Sequence, residues 1–140
     1  MARTSGDEIS YTQDRPISHA EFKSILERSG LAARRPVANL QRLKKMLAAY
    51  TFVVSAWHRD KLVGISTVWT DWAFSAYLAD LAVDRDHQKQ GIGRRLVDLS
   101  KQAVGPEVTL ILLSAPDAAT YYPKIGMERF TDCFLLRRSQ

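Results

Sequence analysis

The sequence predicts an α/β protein, with one mixed and mostly antiparallel sheet flanked by about four helices. Two amphipathic helical stretches follow a short opening strand, a β-hairpin comes next, and a strand–helix–strand crossover occupies residues 74–113. A chain of 140 residues with 46% hydrophobic content has the size of one compact domain. We therefore predict a single domain over residues 1–140, of which residues 1–7 are flexible.

The N-terminal part is predicted to hold a short strand and two helices. The strand covers residues 8–13, and Ser18-His19-Ala20-Glu21 then has the form of a capping box that starts the first helix. Gly30 suits the position just beyond the end of that helix. The second helix is predicted over residues 36–48, with its leucines inward. The basic residues from Arg34 to Lys45 are interpreted as a solvated helix face.

The central part changes to strand chemistry. Residues 51–57 and 61–70 are rich in β-branched and aromatic residues, and Arg59-Asp60 separates them, which predicts an antiparallel hairpin. A third strand is predicted over residues 74–83.

The C-terminal part is predicted to complete the sheet. A helix begins at Gly91 and ends at Gly105-Pro106, and residues 108–113 form an apolar run typical of a parallel strand covered on both faces. We expect a short helix over residues 116–122 and a closing strand over residues 128–137.

Composition argues against several classes of protein. The net charge of +5 favours an anionic partner, but no helix-turn-helix, zinc or aromatic RNA-binding motif accompanies it, so we predict no nucleic-acid partner. The three histidines lack metal-ligand spacing, so we predict no metal. The single cysteine, Cys133, excludes an internal disulfide and is interpreted as a small core residue. No stretch approaches the ~18 apolar residues of a membrane span, and we predict a cytoplasmic protein without a membrane partner.

A glycine-containing loop, Gln88-Lys89-Gln90-Gly91-Ile92-Gly93, lies between the third strand and the next helix. Free backbone N–H groups and the positive end of the helix dipole suit a phosphate there, and Gly91 and Gly93 have no side chain to hold an anion away. A Walker A loop is excluded because Arg94-Arg95 follows in place of Lys-Ser/Thr. A dinucleotide fingerprint is excluded because Leu96 stands where a third glycine is needed.

This loop has the form Gln/Arg-x-x-Gly-x-Gly/Ala and resembles the signature loop of GNAT acyltransferases. The apolar strand end Leu81-Ala82-Val83 before it looks like the family's approach to that loop. A second motif, Tyr122-Pro123-Lys124-Ile125-Gly126-Met127, resembles the family's Tyr-x-Lys-x-Gly-Phe, with Met in place of Phe. The order of elements extends the resemblance over nearly the whole chain. One departure is Ala115, since many relatives carry an asparagine there.

The resemblance implies an acetyl-CoA dependent N-acetyltransferase in which a free amine attacks the thioester directly. Backbone groups of Leu81 and Val83 would pair with the pantetheine arm, and the Val83 N–H would stabilise the oxyanion. The loop N–H groups would hold the pyrophosphate. The residues implied to bind the cofactor are Leu81, Ala82, Val83, Gln88, Lys89, Gln90, Gly91, Ile92, Gly93 and Arg94.

The resemblance also implies catalytic residues. Tyr122 matches the tyrosine that protonates the departing thiolate, so it is the expected general acid. Asp80 is the first candidate for the general base and Asp71 the second. A water relay in place of either carboxylate is an open alternative.

Four aromatic residues are candidates for the wall of the acceptor cleft, where they would suit an aromatic or cationic amine. They are Trp57, Trp69, Trp72 and Phe74. The alternative is that these rings belong to the core or the hairpin surface. We predict a small-molecule amine as the acceptor. A protein or peptide amine, and an acyl-CoA-binding sensor without turnover, are the alternatives. A monomer or homodimer is expected.

Overall fold

A computed structural model describes residues 8–140, so the prediction for residues 1–7 lies outside the described residues. Within these residues, one mixed sheet carries four α-helices, in agreement with the predicted α/β fold and about four helices, and the sheet has five strands where the sequence predicts six. The strands are β1 (Ile9–Thr12), β2 (Phe52–His58), β3 (Lys61–Thr70), β4 (Ser75–Val83) and β5 (Thr109–Leu112). The helices are α1 (His19–Ser29), α2 (Leu40–Ala49), α3 (Ile92–Val104) and α4 (Tyr121–Lys124). Between residues 8 and 140, no helix combines the length and apolar character that crossing a membrane requires.

The strands lie in the order β1-β2-β3-β4-β5. Each of the first three neighbouring pairs is antiparallel, and β4 and β5 are parallel. The predicted hairpin is present as β2 and β3, and the predicted crossover is present as β4, α3 and β5. The mixed sheet therefore has the predicted architecture.

Helix α1 begins and ends where the sequence predicts. The Glu21 N–H donates to Ser18 Oγ at 3.0 Å and the Ser18 N–H donates to Glu21 Oε1 at 3.0 Å, which completes the capping box. Gly30 ends the helix in the left-handed region, with φ of 87°. The buried face of α1 consists of Phe22, Ile25 and Leu26, and burial of each side chain contributes roughly 1.5–3 kcal/mol.

Helix α2 begins later than predicted, at Leu40 instead of residue 36. The side chain of Asn39 accepts the Arg42 N–H at 3.1 Å and so fixes the N-cap. Residues 36–38 form a turn before it. Pro36 suits the first position of a helix, but the side-chain cap by Asn39, three residues later, sets the start.

Both faces of the sheet are covered over most of their area. On one face, α1 and α2 pack against β2, β3 and β4 around a cluster that includes Phe22, Leu43 and Ile65. On the other face, α3 packs on the sheet through Leu96 and Val97. We call these the α1/α2 face and the α3 face.

The closing strand predicted over residues 128–137 is wrong. Residues 127–140 have no regular secondary structure, and residues 128–140 are exposed throughout. Cys133 is exposed, so its assignment to the core is also wrong. Strand-forming residue types are not sufficient for a strand, because its N–H and C=O groups need a partner strand. Strand β5 ends the sheet and is half-exposed, with Ile111 51% exposed, instead of covered on both faces as predicted.

Candidate active site

Strand β4 has a stretch of edge without a partner strand. Its pairing with β5 ends at Leu78, whereas its pairing with β3 continues to Val83. Residues 79–83 therefore border a gap between β4 and the line of β5. An extended ligand can pair with the backbone along this gap as an added strand would.

A β-bulge lies where the gap begins. Strand β3 pairs Val68 with Leu78 and Thr67 with Asp80, so Ala79 has no partner on β3. An extra residue of this kind bends the strand and increases its twist. The bulge therefore coincides with the point at which β4 and β5 separate.

The backbone groups that face the gap belong to Leu81 and Val83. The Asp84 N–H donates to the Val63 carbonyl of β3 at 2.9 Å, and successive residues of a strand direct their backbone groups to opposite sides. Residues 82 and 84 therefore face β3, and Leu81 and Val83 face the gap. The Val83 carbonyl accepts Gln88 Nε2 at 3.0 Å, which ties the glycine loop to this edge.

The glycine loop leads from the gap to the N-terminus of α3. Gly91 is the N-cap of α3, with φ of 82°, and no side chain caps this helix, whereas side chains cap both α1 and α2. A Cβ atom at Gly91 would have no atom within 4 Å, so open space lies in front of the loop. The first N–H groups of α3 lack intrahelical partners. Lys89 and Arg94 are exposed beside them. These features fit a pyrophosphate group.

Among the residues predicted to bind the cofactor, Ala82 and Ile92 are 1% and 2% exposed, respectively, and belong to the core. Ala82 also directs its backbone groups to β3, so it does not offer them to the gap. Gln88, Lys89, Gln90 and Arg94 are exposed, so a ligand can reach their side chains as well.

Helix α4 brings two tyrosines to this region. A Cβ atom at Gly93 would lie 2.7 Å from Tyr121 Oη, so the Tyr121 hydroxyl lies against the start of α3. The rings of Tyr121 and Tyr122 meet edge to face, with centroids 5.3 Å apart. Burial raises the pKa of Tyr122, the negative charge of an ionised Tyr121 would raise it further, and the Arg35 guanidinium lowers it in part. Tyr122 therefore keeps its proton at neutral pH, and its raised pKa makes it a weaker acid than a free tyrosine.

Asp80 is enclosed by hydrogen-bond donors. Its carboxylate is 1% exposed and accepts Arg35 Nε at 2.6 Å, Thr67 Oγ1 at 2.7 Å and the Tyr50 hydroxyl. Burial, the Asp80 charge and the hydrogen bond to Asp80 raise the pKa of Tyr50, so Tyr50 also stays protonated. A carboxylate enclosed in this way cannot accept a proton directly from a substrate amine. The predicted role of Asp80 as the base does not fit its contacts.

Asp71, the second candidate base, caps the turn between β3 and β4. Its Oδ1 accepts the N–H groups of Phe74, Ala73 and Ser75 at 2.8, 2.9 and 3.1 Å. These hydrogen bonds hold the pKa of Asp71 below its usual value. A lowered pKa makes the carboxylate a weaker base, so its contacts favour a structural role.

Trp57 does not belong to an acceptor wall. It is 1% exposed within the core, its Nε1 donates to Ser55 Oγ at 2.8 Å, and the Arg15 guanidinium lies 3.5 Å from the ring centroid. The substrate role predicted for Trp57 does not fit this burial, because strand β2 directs the side chain into the core beside Phe22 and Ile25 of α1.

The other three aromatic candidates are exposed but do not form one wall. Trp69 is 41% exposed and packs between Tyr50 and Tyr77, with ring centroids 5.4 and 5.8 Å away. Trp72 stacks on Phe52, a residue of the α3-side core, at 5.4 Å. Phe74, two residues after Trp72 in the chain, is 78% exposed.

A groove of about 400 Å³ lies beside Trp69 and Tyr77, with Asp71 and Ile111 also in its lining. Tyr77 and Ile111 are neighbours across β4 and β5 and therefore share one face of the sheet. Trp69 in this lining packs against Tyr50, whose hydroxyl donates to Asp80.

Sequence reasoning missed the contribution of Arg35, Tyr50 and Tyr77. Arg35 was interpreted as part of a solvated basic face, yet its side chain is only 22% exposed and bonds to Asp80. Nothing in the spacing of Arg35 and Asp80, which lie 45 residues apart, reveals this contact. Tyr77 lies opposite Trp69 in the β3–β4 pairing. Because side chains alternate between the two faces of a strand, the predicted strands could have placed Tyr77 beside Trp69.

Comparisons with known proteins agree with this arrangement. The profile of the Acetyltransferase (GNAT) domain matches residues 18–134. The uncharacterized N-acetyltransferase ycf52 of Pyropia yezoensis is 25% identical over 131 residues, which is 89% of this chain and 73% of that protein. A GNAT family acetyltransferase, SP0256 of Streptococcus pneumoniae TIGR4, superposes with a TM-score of 0.70 and 19% identity, covering 94% of this chain and 100% of its own. An aminoglycoside acetyltransferase from an uncultured soil metagenomic sample, in complex with sisomicin, gives 0.63 and 19%, covering 94% and 96%.

Proposed function

The chain belongs to the GNAT acetyltransferase family, and on this premise we propose that it transfers an acetyl group from acetyl-CoA to the primary amine of a small molecule. The observation that carries the proposal is the gap beside residues 79–83 of β4, which continues into the uncapped N-terminus of α3. The β4 edge of this path suits an extended amide chain, and the N-terminus of α3 suits a pyrophosphate.

Acetyl-CoA supplies the activated acetyl thioester. In our proposal the N–H groups of Leu81 and Val83 hold the pantetheine arm, and the loop from Gln88 to Arg94 holds the pyrophosphate through backbone N–H groups. Lys89 and Arg94 add positive charge at the same place. Ala82 and Ile92 keep these backbone groups in position by packing into the core.

The chain's own groups supply the remaining chemistry. A β4 backbone N–H that faces the gap would donate to the thioester carbonyl oxygen, where negative charge develops when the amine attacks. Leu81 is better placed for this than Val83 because it lies farther from the pyrophosphate loop. Tyr122, which is protonated at neutral pH, donates its proton to the departing sulfur. We propose that water takes the proton from the amine, because Asp80 is fully engaged and the pKa of Asp71 is lowered.

The proposed acceptor lies on the α1/α2 face, with its organic part against Trp69 and Tyr77. Two stacked aromatic rings beside an open groove suit an apolar or cationic group. The aminoglycoside acetyltransferase among the structural neighbours acts on a small molecule with amino groups, which agrees with this acceptor class. Trp72 and Phe74 have no role in this proposal.

Thiol release from acetyl-CoA, measured against a panel of small amines, tests the proposed reaction. We expect turnover with at least one amine, and Trp69→Leu should raise the KM for that amine while the KM for acetyl-CoA stays within about twofold. Phe130→Leu is the matched control, because Phe130 is an exposed aromatic residue in the C-terminal segment. Acetyl-CoA binding without turnover of any amine would favour an acyl-CoA sensor instead.

A further inference from the structure

Arg35 reaches from the helical layer to the bulge of β4. Its Nε donates to Asp80 Oδ1 at 2.6 Å and its Nη2 donates to the Ala79 carbonyl at 2.8 Å. Its Nη1 donates to the Arg34 carbonyl at 2.9 Å, which holds the guanidinium in place. One rigid side chain thus binds both the bulged residue and the residue after it. A lysine cannot reproduce this geometry, because its ammonium group lacks the planar fork.

The bulge is held together by side chains. Ala79 has no strand partner on β3, so its carbonyl depends on Arg35. The Asp80 N–H donates to Thr67 Oγ1 at 3.0 Å, and the Thr67 hydroxyl donates back to Asp80 Oδ2. The Tyr50 hydroxyl donates to the same oxygen. The extra residue would otherwise leave unpaired polar groups in the core, which is costly.

The bulge changes which residues of β4 face the gap. Before it, the Phe74 carbonyl accepts the Thr109 N–H of β5 at 3.0 Å, so even-numbered residues direct their backbone groups towards β5. After it, Asp84 bonds to β3, so odd-numbered residues face the gap. Without the extra residue, the N–H groups of Leu81 and Val83 would point towards β3.

We propose that Arg35 is a positioning residue, which fixes the bulge at Ala79 and thereby directs the N–H groups of Leu81 and Val83 into the cofactor gap. This inference rests on the proposed function, because it assigns these N–H groups to acetyl-CoA. It gives Asp80 a role as well: the carboxylate holds Arg35 in place and does not take part in proton transfer.

Two measurements on Arg35→Lys and Arg35→Gln test the proposal. The first is calorimetric titration with acetyl-CoA, in which we expect both variants to raise Kd on the order of ten- to a hundredfold, because the geometry is lost in both. The second is amide hydrogen exchange in the unliganded protein, in which we expect faster exchange at Asp80 and Ala82. Ser100→Ala is the control. It removes a buried bond to Ser66 on the α3 face and should leave Kd within about twofold.

The outcomes separate this inference from the proposed function. If Arg35→Lys binds acetyl-CoA as the wild type does, Arg35 does not position the gap. If Ser100→Ala weakens binding as much as Arg35→Lys, a general loss of stability explains the effect and the inference fails. If the wild type itself does not bind acetyl-CoA, the proposed function fails, and with it the assignment of these N–H groups. The exchange rates then still decide whether Arg35 fixes the bulge.

Discussion

Gly93, in the first turn of α3, lies against the Tyr121 hydroxyl of α4, and Gly93→Ala should therefore test that contact. The added methyl carbon would lie 2.7 Å from Tyr121 Oη, which is well inside van der Waals contact. The next atoms, Tyr121 Cζ and Val83 Cγ2, are at 3.6 and 3.7 Å, which are ordinary distances. The clash thus involves only the hydroxyl oxygen of Tyr121. We therefore predict that Gly93→Ala changes the free energy of unfolding differently in the wild type and in Tyr121→Phe, which lacks that oxygen.

The magnitude follows from two opposing effects. Overpacking costs about 1–3 kcal/mol, and we expect the lower end because Tyr121 is half-buried and can turn aside. Replacement of a helical glycine by alanine gains roughly 0.5–1 kcal/mol. Gly93→Ala should therefore lower the free energy of unfolding by up to about 1 kcal/mol in the wild type and raise it by roughly 0.5 kcal/mol in Tyr121→Phe.

Urea denaturation of the wild type, Gly93→Ala, Tyr121→Phe and the double variant measures this coupling. We expect a coupling free energy of about 1 kcal/mol, with the double variant more stable than the sum of the single effects predicts. A coupling below about 0.3 kcal/mol would show that the Tyr121 hydroxyl does not contact the start of α3.

Three further predictions concern catalysis, backbone strain and pH. Tyr122→Phe should lower kcat by roughly 10²–10⁴-fold in the thiol-release assay and leave the Kd for acetyl-CoA nearly unchanged; a wild-type kcat at every pH would refute its role as the acid. Gly91→Ala should lower the free energy of unfolding in urea by about 1–2 kcal/mol, because residue 91 has a left-handed φ of 82° and open space for a methyl group. Burial opposes ionisation of Asp84, but the Asp86 N–H, Arg28 and Lys61 together hold its pKa below the usual value. Since the folded pKa is lowered, Asp84 stabilises the protein above about pH 4, and this stabilisation is lost as the pH falls further. The difference in unfolding free energy between wild type and Asp84→Asn should therefore shrink from pH 7 to pH 3, and a constant difference would contradict it.

Local features of the sequence predicted local structure well. The capping box at Ser18 and Glu21 is present, because both partners lie within one helical turn and need no tertiary contact. The hairpin turn lies at Arg59-Asp60 as predicted, and Arg59 adopts a positive φ of 57° there. The crossover was also predictable, because the hydrophobic pattern changes from that of a strand to that of a helix at the glycine loop.

Features that depend on distant partners were not predictable. Arg35 and Asp80 meet only because the bulge at Ala79 turns the Asp80 carboxylate towards the α1/α2 face. Trp57 and Trp69 have the same residue type and lie in neighbouring strands, yet one is in the core and the other is exposed. The position of each side chain relative to the helices decides this difference, and single-sequence patterns do not contain it.

The sequence makes its sharpest site prediction where the site depends on backbone. Gly91 and Gly93 predict a phosphate-binding loop because their lack of side chains is itself the signal, and this stays a prediction until acetyl-CoA binding is measured. The general base was not predictable in this way, since the behaviour of a carboxylate depends on its donors, and those of Asp80 come from three separate elements of the chain.

The central claim is that the β4 edge and the start of α3 bind acetyl-CoA, and a calorimetric titration of the purified protein with acetyl-CoA tests it most directly. We predict saturable binding at one site with a Kd of roughly micromolar order, which Gly91→Trp abolishes while the protein remains folded. No saturable binding up to about millimolar acetyl-CoA, or equal binding to Gly91→Trp, would contradict the claim.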